Sequence, residues 1–329
     1  MPVGQILKLD AGENIWVPKR IQQAIQSRIA VTSVATYPDS ESTALRDAVA
    51  IKLGVDPTWI MVGNGSDELI DLCCRIFINP GDSLVDCPPT FPMYWFFART
   101  MGAKRIEVQR DASFRIKIQE TRQALGTGKL LFVATPNNPT GTLTDEKTLR
   151  ILLESGKPIV VDEAYIEFGG ITCLPLLQEF DNLIVLRTFS KWAGIAGVRV
   201  GFLVARPQVI DAIRAIRPPY SVNTVAQVAA LCVLEKEKEI LPVIRELQAS
   251  RDWFISQAKA VPGICVTESN ASCVCIQIEG QSPEDTARKL WIQGIIVKPL
   301  VMSGFAGIRI SVAPQKEMGR VMRALKECI

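Results

Sequence analysis

One lysine stands among small and apolar residues near the middle of the chain, in the stretch TFSKWAGIAGVRVGF at residues 188–202. The stretch lies between two apolar runs, LIVLR and VRVGFLVA, that are typical of buried strands. Lys191 is therefore expected at the mouth of a core. A lysine in such a place is usually structural, but one in a poorly hydrated site can lose its proton and form a Schiff base. Arg199 follows in the same stretch, and its guanidinium fork suits a phosphate.

A glycine-rich loop, GNGSDELI at residues 63–70, follows the apolar run WIMVG and leads into a helix-like segment. Free backbone N–H groups and the helix dipole at such a place attract phosphate. An ordinary turn with acidic residues in the first helical turn explains the same pattern. The loop lacks the GK[ST] ending of a Walker loop and the third glycine of a dinucleotide fingerprint. It therefore indicates either another kind of anion site or a turn.

Two further loops carry polar residues directly after apolar runs. TPNNPTG, at residues 135–141, follows KLLFVA; it is typical of a turn, although an Asn amide there can donate to a ligand oxygen. Asp162 closes the apolar run in PIVVDEAY, at residues 158–165. A carboxylate in that position either caps a helix or faces a cation, a metal or a protonated ring nitrogen.

The elements that must position these loops alternate along the chain. Strand-like apolar runs are each followed by a helix-like segment, as in WIMVG before SDELIDLCCRIFI and KLLFVATP before DEKTLRILLES. This alternation predicts an α/β fold with a largely parallel sheet, in which ligands bind beyond the carboxyl ends of the strands. After the Pro-Pro turn in IRPPYSVN, the pattern changes to two long helices, four short strand-like runs and a C-terminal helix. We place a domain boundary near that turn.

Composition limits the function classes. The chain has 329 residues, a formal net charge of +3, nine cysteines without a CxxC pair, and no histidine. The charge predicts neither a nucleic-acid nor a membrane partner, and the missing histidine excludes imidazole bases and imidazole metal ligands. No metal-site pattern is visible. The absence of a signal-like start and the unpatterned cysteines predict a cytoplasmic protein with reduced thiols.

Together the loops resemble one family. A phosphate cradle, an aspartate for a pyridinium nitrogen, Asn and Tyr donors for a ring oxygen and a Schiff-base lysine suit pyridoxal 5'-phosphate. The chain is similar to the fold type I aminotransferases, and most closely to histidinol-phosphate aminotransferases. The resemblance runs through KLDAGENIWVP, TYPD, GNGSDELI, CPPTFPMY, PNNPTG, VDEAYIEF, TFSKWAGIAGVRVGF, GIIVK and GIRISV. It implies a seven-stranded, mostly parallel sheet between helices in a large domain at residues 31–222. It further implies a smaller α+β domain at 223–329 and an N-terminal arm at 1–30 that packs with the small domain.

The resemblance also implies roles for individual residues. Lys191 would hold the cofactor and move the substrate proton, Asp162 would pair with the ring nitrogen, and Tyr165 would bond the phenolic oxygen. Tyr37 would reach the phosphate of the neighbouring subunit, so a homodimer is expected. The remaining cofactor contacts implied are Gly65, Ser66, Asp67, Phe91, Asn138, Thr188, Ser190 and Arg199.

The substrate side departs from the family pattern. Arg309 matches the arginine that binds the carboxylate of glutamate, but Lys298 stands where an arginine usually binds the substrate phosphate. Asn14 lies in the opening motif, and Trp16 either covers the substrate ring or packs in the core. These features predict transfer between L-histidinol phosphate and 2-oxoglutarate by a ping-pong mechanism. An aromatic amino-acid aminotransferase and a decarboxylase or lyase on the same fold remain alternatives.

Overall fold

The computed structural model of the chain describes residues 6–329. The first five residues of the expected N-terminal arm lie outside that range. Within it, the helices are α1 (Lys19–Ala30), α2 (Thr43–Leu53), α3 (Gly65–Phe77), α4 (Met93–Thr100), α5 (Ile118–Leu125), α6 (Glu146–Leu153), α7 (Pro207–Ile216), α8 (Thr224–Glu235), α9 (Glu237–Lys259), α10 (Pro283–Ile292) and α11 (Gln315–Lys326). None of the helices in the described residues is both long enough and apolar enough to cross a membrane.

The strands form three sheets. They are β1 (Leu7–Lys8), β2 (Ile60–Gly63), β3 (Ser83–Asp86), β4 (Lys104–Glu107), β5 (Leu130–Ala134), β6 (Ile159–Asp162), β7 (Leu183–Thr188), β8 (Gly201–Ala205), β9 (Ile264–Val266), β10 (Cys273–Ile278), β11 (Ile295–Ile296), β12 (Lys298–Met302) and β13 (Phe305–Ser311). The largest sheet has seven strands in the order β2-β8-β7-β6-β5-β3-β4. Strand β8 runs antiparallel to both of its neighbours, and the other pairs are parallel. The predicted α/β fold with a mostly parallel seven-stranded sheet is confirmed.

The large sheet is covered on both faces. Strands β5, β6 and β7 are buried along their whole length, which explains why they read as continuous apolar runs rather than alternating ones. Successive residues of a strand point to opposite faces, so Val161 enters one hydrophobic core and Val160 the other. The sheet is therefore held rigidly between two layers of helices, and the loops at its edge are anchored on a stiff base.

A second, smaller sheet has the order β12-β13-β10-β9 and is antiparallel. It packs against α9 and α11 around a separate core. In α11, Met318, Val321, Met322 and Leu325 are buried at helical spacing, so one face of the helix covers the sheet. Strand β1 pairs in parallel with β11, and Leu7 and Leu9 enter the same core.

The packing places the change of core later than residue 222. Helix α8 and the first half of α9, to Leu247, bury their apolar residues in the core of the large sheet, whereas Phe254 and Ile255 enter the small-sheet core. Helix α1 also belongs to the large-sheet core through Ile21 and Ile25. The Pro-Pro turn separates helices α7 and α8, and both of these helices bury their apolar residues against the large sheet. The predicted division into residues 1–30, 31–222 and 223–329 stays a proposal, and the packing adds that the two halves of α9 lie in different cores.

Candidate active site

The loops singled out from the sequence meet at one edge of the large sheet. Strands β2, β5, β6 and β7 end there with their carboxyl ends. Because β8 runs in the opposite direction, its amino end lies at the same edge, with Gly201 paired to both Gly63 and Thr188. A cavity opens at this edge. It is lined by Ala11, Ser66, Asp67, Phe91, Ala134, Pro136, Asn138, Asp162, Ala164, Tyr165, Thr188, Ser190, Lys191, Arg199 and Arg309.

One part of the cavity is built to receive an anion. Helix α3 begins at Gly65, so its free N–H groups and dipole face the cavity. The Arg199 guanidinium lies against this helix start; a Cβ on Gly65 would stand 2.5 Å from Arg199 Nη2. Arg199 Nη1 donates to Ser190 Oγ at 3.4 Å, and Nη2 donates to Asp67 Oδ2 at 2.8 Å. Only glycine at position 65 leaves room for that guanidinium.

Asp162 lies at the floor of the cavity at the end of β6. Its side chain is buried, and its carboxylate accepts hydrogen bonds from Tyr94 Oη at 2.6 Å and from the Ala164 N–H at 2.9 Å. Burial raises the pKa of Asp162 to about 6, and the two hydrogen bonds oppose that rise. Within residues 6–329, none of the ion pairs involves Asp162. The site therefore holds a buried carboxylate that is suited to a cationic partner in the cavity.

Lys191 projects into the cavity from the loop after β7. Its Nζ donates to the Ala11 carbonyl at 3.0 Å and lies 5.7 Å from the centre of the Tyr165 ring. Burial, and then the positive charge of Arg309, lower the pKa of Lys191 to about 8. A lysine with this pKa supplies neutral amine near physiological pH, as a nucleophile or a proton acceptor requires.

We expect reductive alkylation of Lys191 by a small aldehyde to rise with pH through a midpoint near 8, because only the neutral amine attacks a carbonyl. Replacing Arg309 with glutamine removes a neighbouring positive charge and should move the midpoint to higher pH. The extent of labelling at each pH is measured by peptide mass spectrometry. A midpoint that is the same in both proteins would contradict the electrostatic account.

The remaining polar groups surround Lys191. Arg309 Nη1 donates to Asn138 Oδ1 at 2.8 Å, and Nη2 donates to the Asp10 carbonyl at 2.7 Å. Because the Asn138 oxygen accepts from Arg309, the amino group is the part of this side chain left to donate. Phe91 lines the cavity, and its ring meets the Tyr94 ring edge to face with centroids 5.5 Å apart. The site thus combines an anion cradle, a flat apolar wall and an arginine at the cavity lining.

Five of the predicted contacts are not among the residues that line the cavity. Gly65 is buried at the start of α3, beside Arg199. Asn14 is buried, and its carboxamide is already bonded, to the Trp192 carbonyl and the Trp16 N–H. Trp16 packs against both the large-sheet and small-sheet cores, as a core residue does. Lys298 is exposed at the start of β12, and Tyr37 is 81% exposed. Their roles remain predictions.

Other residues of the site escaped the sequence analysis. Ala11 and Gly12, in the opening motif, cover Lys191; a Cβ on Gly12 would lie 3.3 Å from Lys191 Nζ and 3.5 Å from the Tyr165 hydroxyl. Tyr94 lies beneath the cavity. It belongs to CPPTFPMY, a motif used only to support the resemblance. The available signal was a tyrosine three residues after Phe91, which is itself a predicted cofactor contact.

The fold and the cavity define an α/β enzyme with a lysine and a buried carboxylate together at the sheet edge. The structure superimposes on that of histidinol-phosphate aminotransferase from Sinorhizobium meliloti in complex with pyridoxal-5'-phosphate. The TM-score is 0.88, with 26% sequence identity, and the match covers 98% of this chain and 90% of that one.

Comparison of the sequence gives the family. The family model described as aminotransferase class I and II matches residues 5–325. The chain is 39% identical to histidinol-phosphate aminotransferase of Roseiflexus castenholzii, over 99% of this chain and 91% of that protein. It is 35% identical to the histidinol-phosphate aminotransferase of Dehalococcoides mccartyi, over 98% of this chain and 90% of that protein. The chain therefore belongs to the class I and II aminotransferases, and the resemblance predicted from its motifs is confirmed.

Proposed function

We propose that this aminotransferase uses pyridoxal 5'-phosphate and exchanges the amino group between L-histidinol phosphate and 2-oxoglutarate. The observation that carries the proposal is the convergence of Lys191, Asp162 and the anion cradle on one cavity. The similarity to curated histidinol-phosphate aminotransferases over nearly the whole chain supports the choice of substrate.

The residues present fit the cofactor. A buried carboxylate that takes part in no ion pair of the described residues suits a protonated ring nitrogen, because burying a charge without a partner is costly. A guanidinium that lies against a helix start, where a Cβ at position 65 would crowd it, suits a phosphate group. The proposed contacts are Gly65 at the helix start and Ser66, Asp67, Thr188, Ser190 and Arg199 in the cavity lining around the phosphate, Asn138 and Tyr165 at the ring oxygen, Asp162 at the ring nitrogen, and Phe91 on the ring face.

When bound, the cofactor supplies an electron sink that stabilises negative charge on the substrate α-carbon. The chain's own residues hold the reactants and move the proton. Lys191 Nζ, kept partly neutral by burial, takes the proton from the α-carbon. Asp162 keeps a negative charge at the ring nitrogen, and Arg309 binds the carboxylate of glutamate or 2-oxoglutarate through its planar fork.

Lys298 is proposed to bind the substrate phosphate. In the antiparallel register of β12 and β13, Lys298 stands opposite Arg309. Residues that stand opposite each other in an antiparallel pair have side chains on the same face of the sheet. Lys298 therefore lies on the same face as the arginine that enters the cavity. As an exposed point charge, it attracts phosphate without the bidentate geometry of an arginine.

Replacing Lys298 with alanine is expected to raise the KM for L-histidinol phosphate about tenfold, because one charge contact to phosphate is lost. The KM for L-phenylalanine, which has no phosphate, should not change. Lys316→Ala, which removes an exposed lysine at the start of α11, is the matched control. Equal changes in KM for both substrates would show that Lys298 does not bind the substrate phosphate. A higher kcat/KM for phenylalanine than for L-histidinol phosphate in the unmodified enzyme would favour the aromatic aminotransferase.

A homodimer and a cytoplasmic location complete the proposal. Tyr37 is exposed and stacks on Tyr220 with ring centroids 4.7 Å apart, so its ring is held at the surface where a second subunit can meet it. We propose that Tyr37 reaches the phosphate in the neighbouring subunit. The cytoplasmic location rests on the nine cysteines, all of which are free thiols.

A further inference from the structure

We propose that Tyr94 is a positioning residue that keeps the Asp162 carboxylate charged and aimed at the ring nitrogen of the cofactor. The inference rests on the proposed function, because it assigns a partner to the carboxylate that the cofactor is proposed to need. Tyr94 is in α4, 68 residues before Asp162 in the chain, and lies below the cavity rather than in its lining.

The Tyr94 ring is fixed from two sides. It is fully buried and stacks on Phe132 of β5, with centroids 4.6 Å apart and an interplanar angle of 4°. It also forms a T-shaped pair with Phe91, the residue proposed to cover the cofactor ring, at an interplanar angle of 81°. Aromatic pairs of this kind restrict the ring to one orientation. The hydroxyl is therefore held at a fixed point, and that point is 2.6 Å from Asp162 Oδ2.

The hydrogen bond from Tyr94 helps to fix the orientation of the Asp162 carboxylate. The Tyr94 hydroxyl donates to Oδ2 and the Ala164 N–H donates to Oδ1, so two donors fix the plane of the carboxylate. Both donors favour the charged form, whereas burial favours the neutral acid. A neutral acid cannot form an ion pair with a protonated ring nitrogen. Tyr94 thus supports the ion pair from the side opposite the cavity.

Other charged groups near this pair come from several elements. Lys191, after β7, and Asp67, in α3, act on Asp162 with opposite signs, and each has a smaller effect than Tyr94. Asp86, at the end of β3, and Arg110 act on Tyr94 itself. Asp86 pairs with an arginine of β4, and Arg110 donates to backbone carbonyls and to an asparagine, so neither is bonded to Tyr94. Among residues 6–329, Tyr94 is the side-chain donor bonded to Asp162.

The first test measures the carboxyl group of Asp162 in the cofactor-free protein. Tyr94→Phe keeps both ring contacts and removes only the hydroxyl. In protein labelled with carboxyl-¹³C aspartate, the Asp162 signal is identified by its loss in Asp162→Asn and is followed against pH. The pKa of Asp162 should move up by about one pH unit in Tyr94→Phe, since a donor to the charged form is lost. Tyr220→Phe, which removes an exposed hydroxyl, should leave it unchanged.

The second test uses the loaded enzyme. Tyr94→Phe should lower the rate of the half-reaction with the amino donor about tenfold at pH 8 and shift the pH midpoint of the cofactor's visible absorbance. A purely structural role would move neither the pKa of Asp162 nor this midpoint. An unchanged Asp162 titration in folded Tyr94→Phe would overturn the inference. If the unmodified protein failed to take up pyridoxal phosphate, the proposed function would fail, while the cofactor-free titration would still decide the role of Tyr94.

Discussion

Lys191→Ala is expected to lower transamination by at least about a thousandfold. The variant loses both the amine that holds the cofactor and the base that takes the substrate proton, and no other lysine of residues 6–329 lines the cavity. The anion cradle and Asp162 remain, so the variant should still bind pyridoxal phosphate, but without a covalent bond to the protein. Turnover is measured as glutamate consumption, and covalent attachment by mass spectrometry after borohydride reduction.

Lys8→Ala is the control for this variant. Lys8 is an exposed lysine in β1, three residues before Ala11, and forms ion pairs with Asp10 and Glu13. Its removal should leave turnover within about twofold of the unmodified enzyme, because exposed ion pairs contribute little. Lys191→Ala with full turnover and its cofactor in place would show that the proton is moved by a different group, and the mechanism proposed here would be wrong.

Asp162→Asn should slow the half-reaction by roughly a hundredfold or more and should stabilise the cofactor-free protein. The loss of rate follows because an amide cannot balance the charge of a protonated ring nitrogen. The gain in stability follows because the native state buries a charge that the unfolded chain exposes to water. Rates are measured by stopped-flow absorbance, and stability by urea unfolding of the cofactor-free protein.

The direction in which the stability gained by Asp162→Asn changes with pH follows from the raised pKa of Asp162. With a native pKa of about 6 against an ordinary value of 3.8, the native state binds the proton more tightly than the unfolded chain. The cost of the buried charge is therefore absent well below pH 4 and is fully present above pH 6. The stability gained in Asp162→Asn should amount to roughly 2–3 kcal/mol at pH 8 and should be smaller at pH 5. A gain that is the same at both values would contradict the assignment.

Much of the candidate site could be predicted from the sequence because its residues follow strands. Asp162 and Lys191 come directly after apolar runs, and the carboxyl ends of parallel strands meet at one edge of a sheet. The direction of β8 could not be read from VRVGFLVA, because an apolar run has the same pattern in either direction. Its reversal brings Arg199 to the edge.

Contacts set by tertiary packing could not be predicted in this way. The Tyr94–Asp162 bond joins residues that are far apart in the chain, and nothing in the spacing of CPPTFPMY fixes where the hydroxyl points. The Ala11 carbonyl reaches Lys191 only because β1 places the opening segment beside the cavity. The long helix α9 likewise has one continuous helical pattern in the sequence, although its two halves belong to different cores.

The central claim, that L-histidinol phosphate is the amino donor, is tested most directly by the first half-reaction. Purified protein loaded with pyridoxal phosphate is mixed with L-histidinol phosphate, and separately with L-phenylalanine, without any keto acid. The visible absorbance of the cofactor is then followed to completion. Rapid conversion to the aminated cofactor with L-histidinol phosphate, and little with phenylalanine, is the predicted result. Conversion mainly with phenylalanine, or with neither compound, would contradict the account.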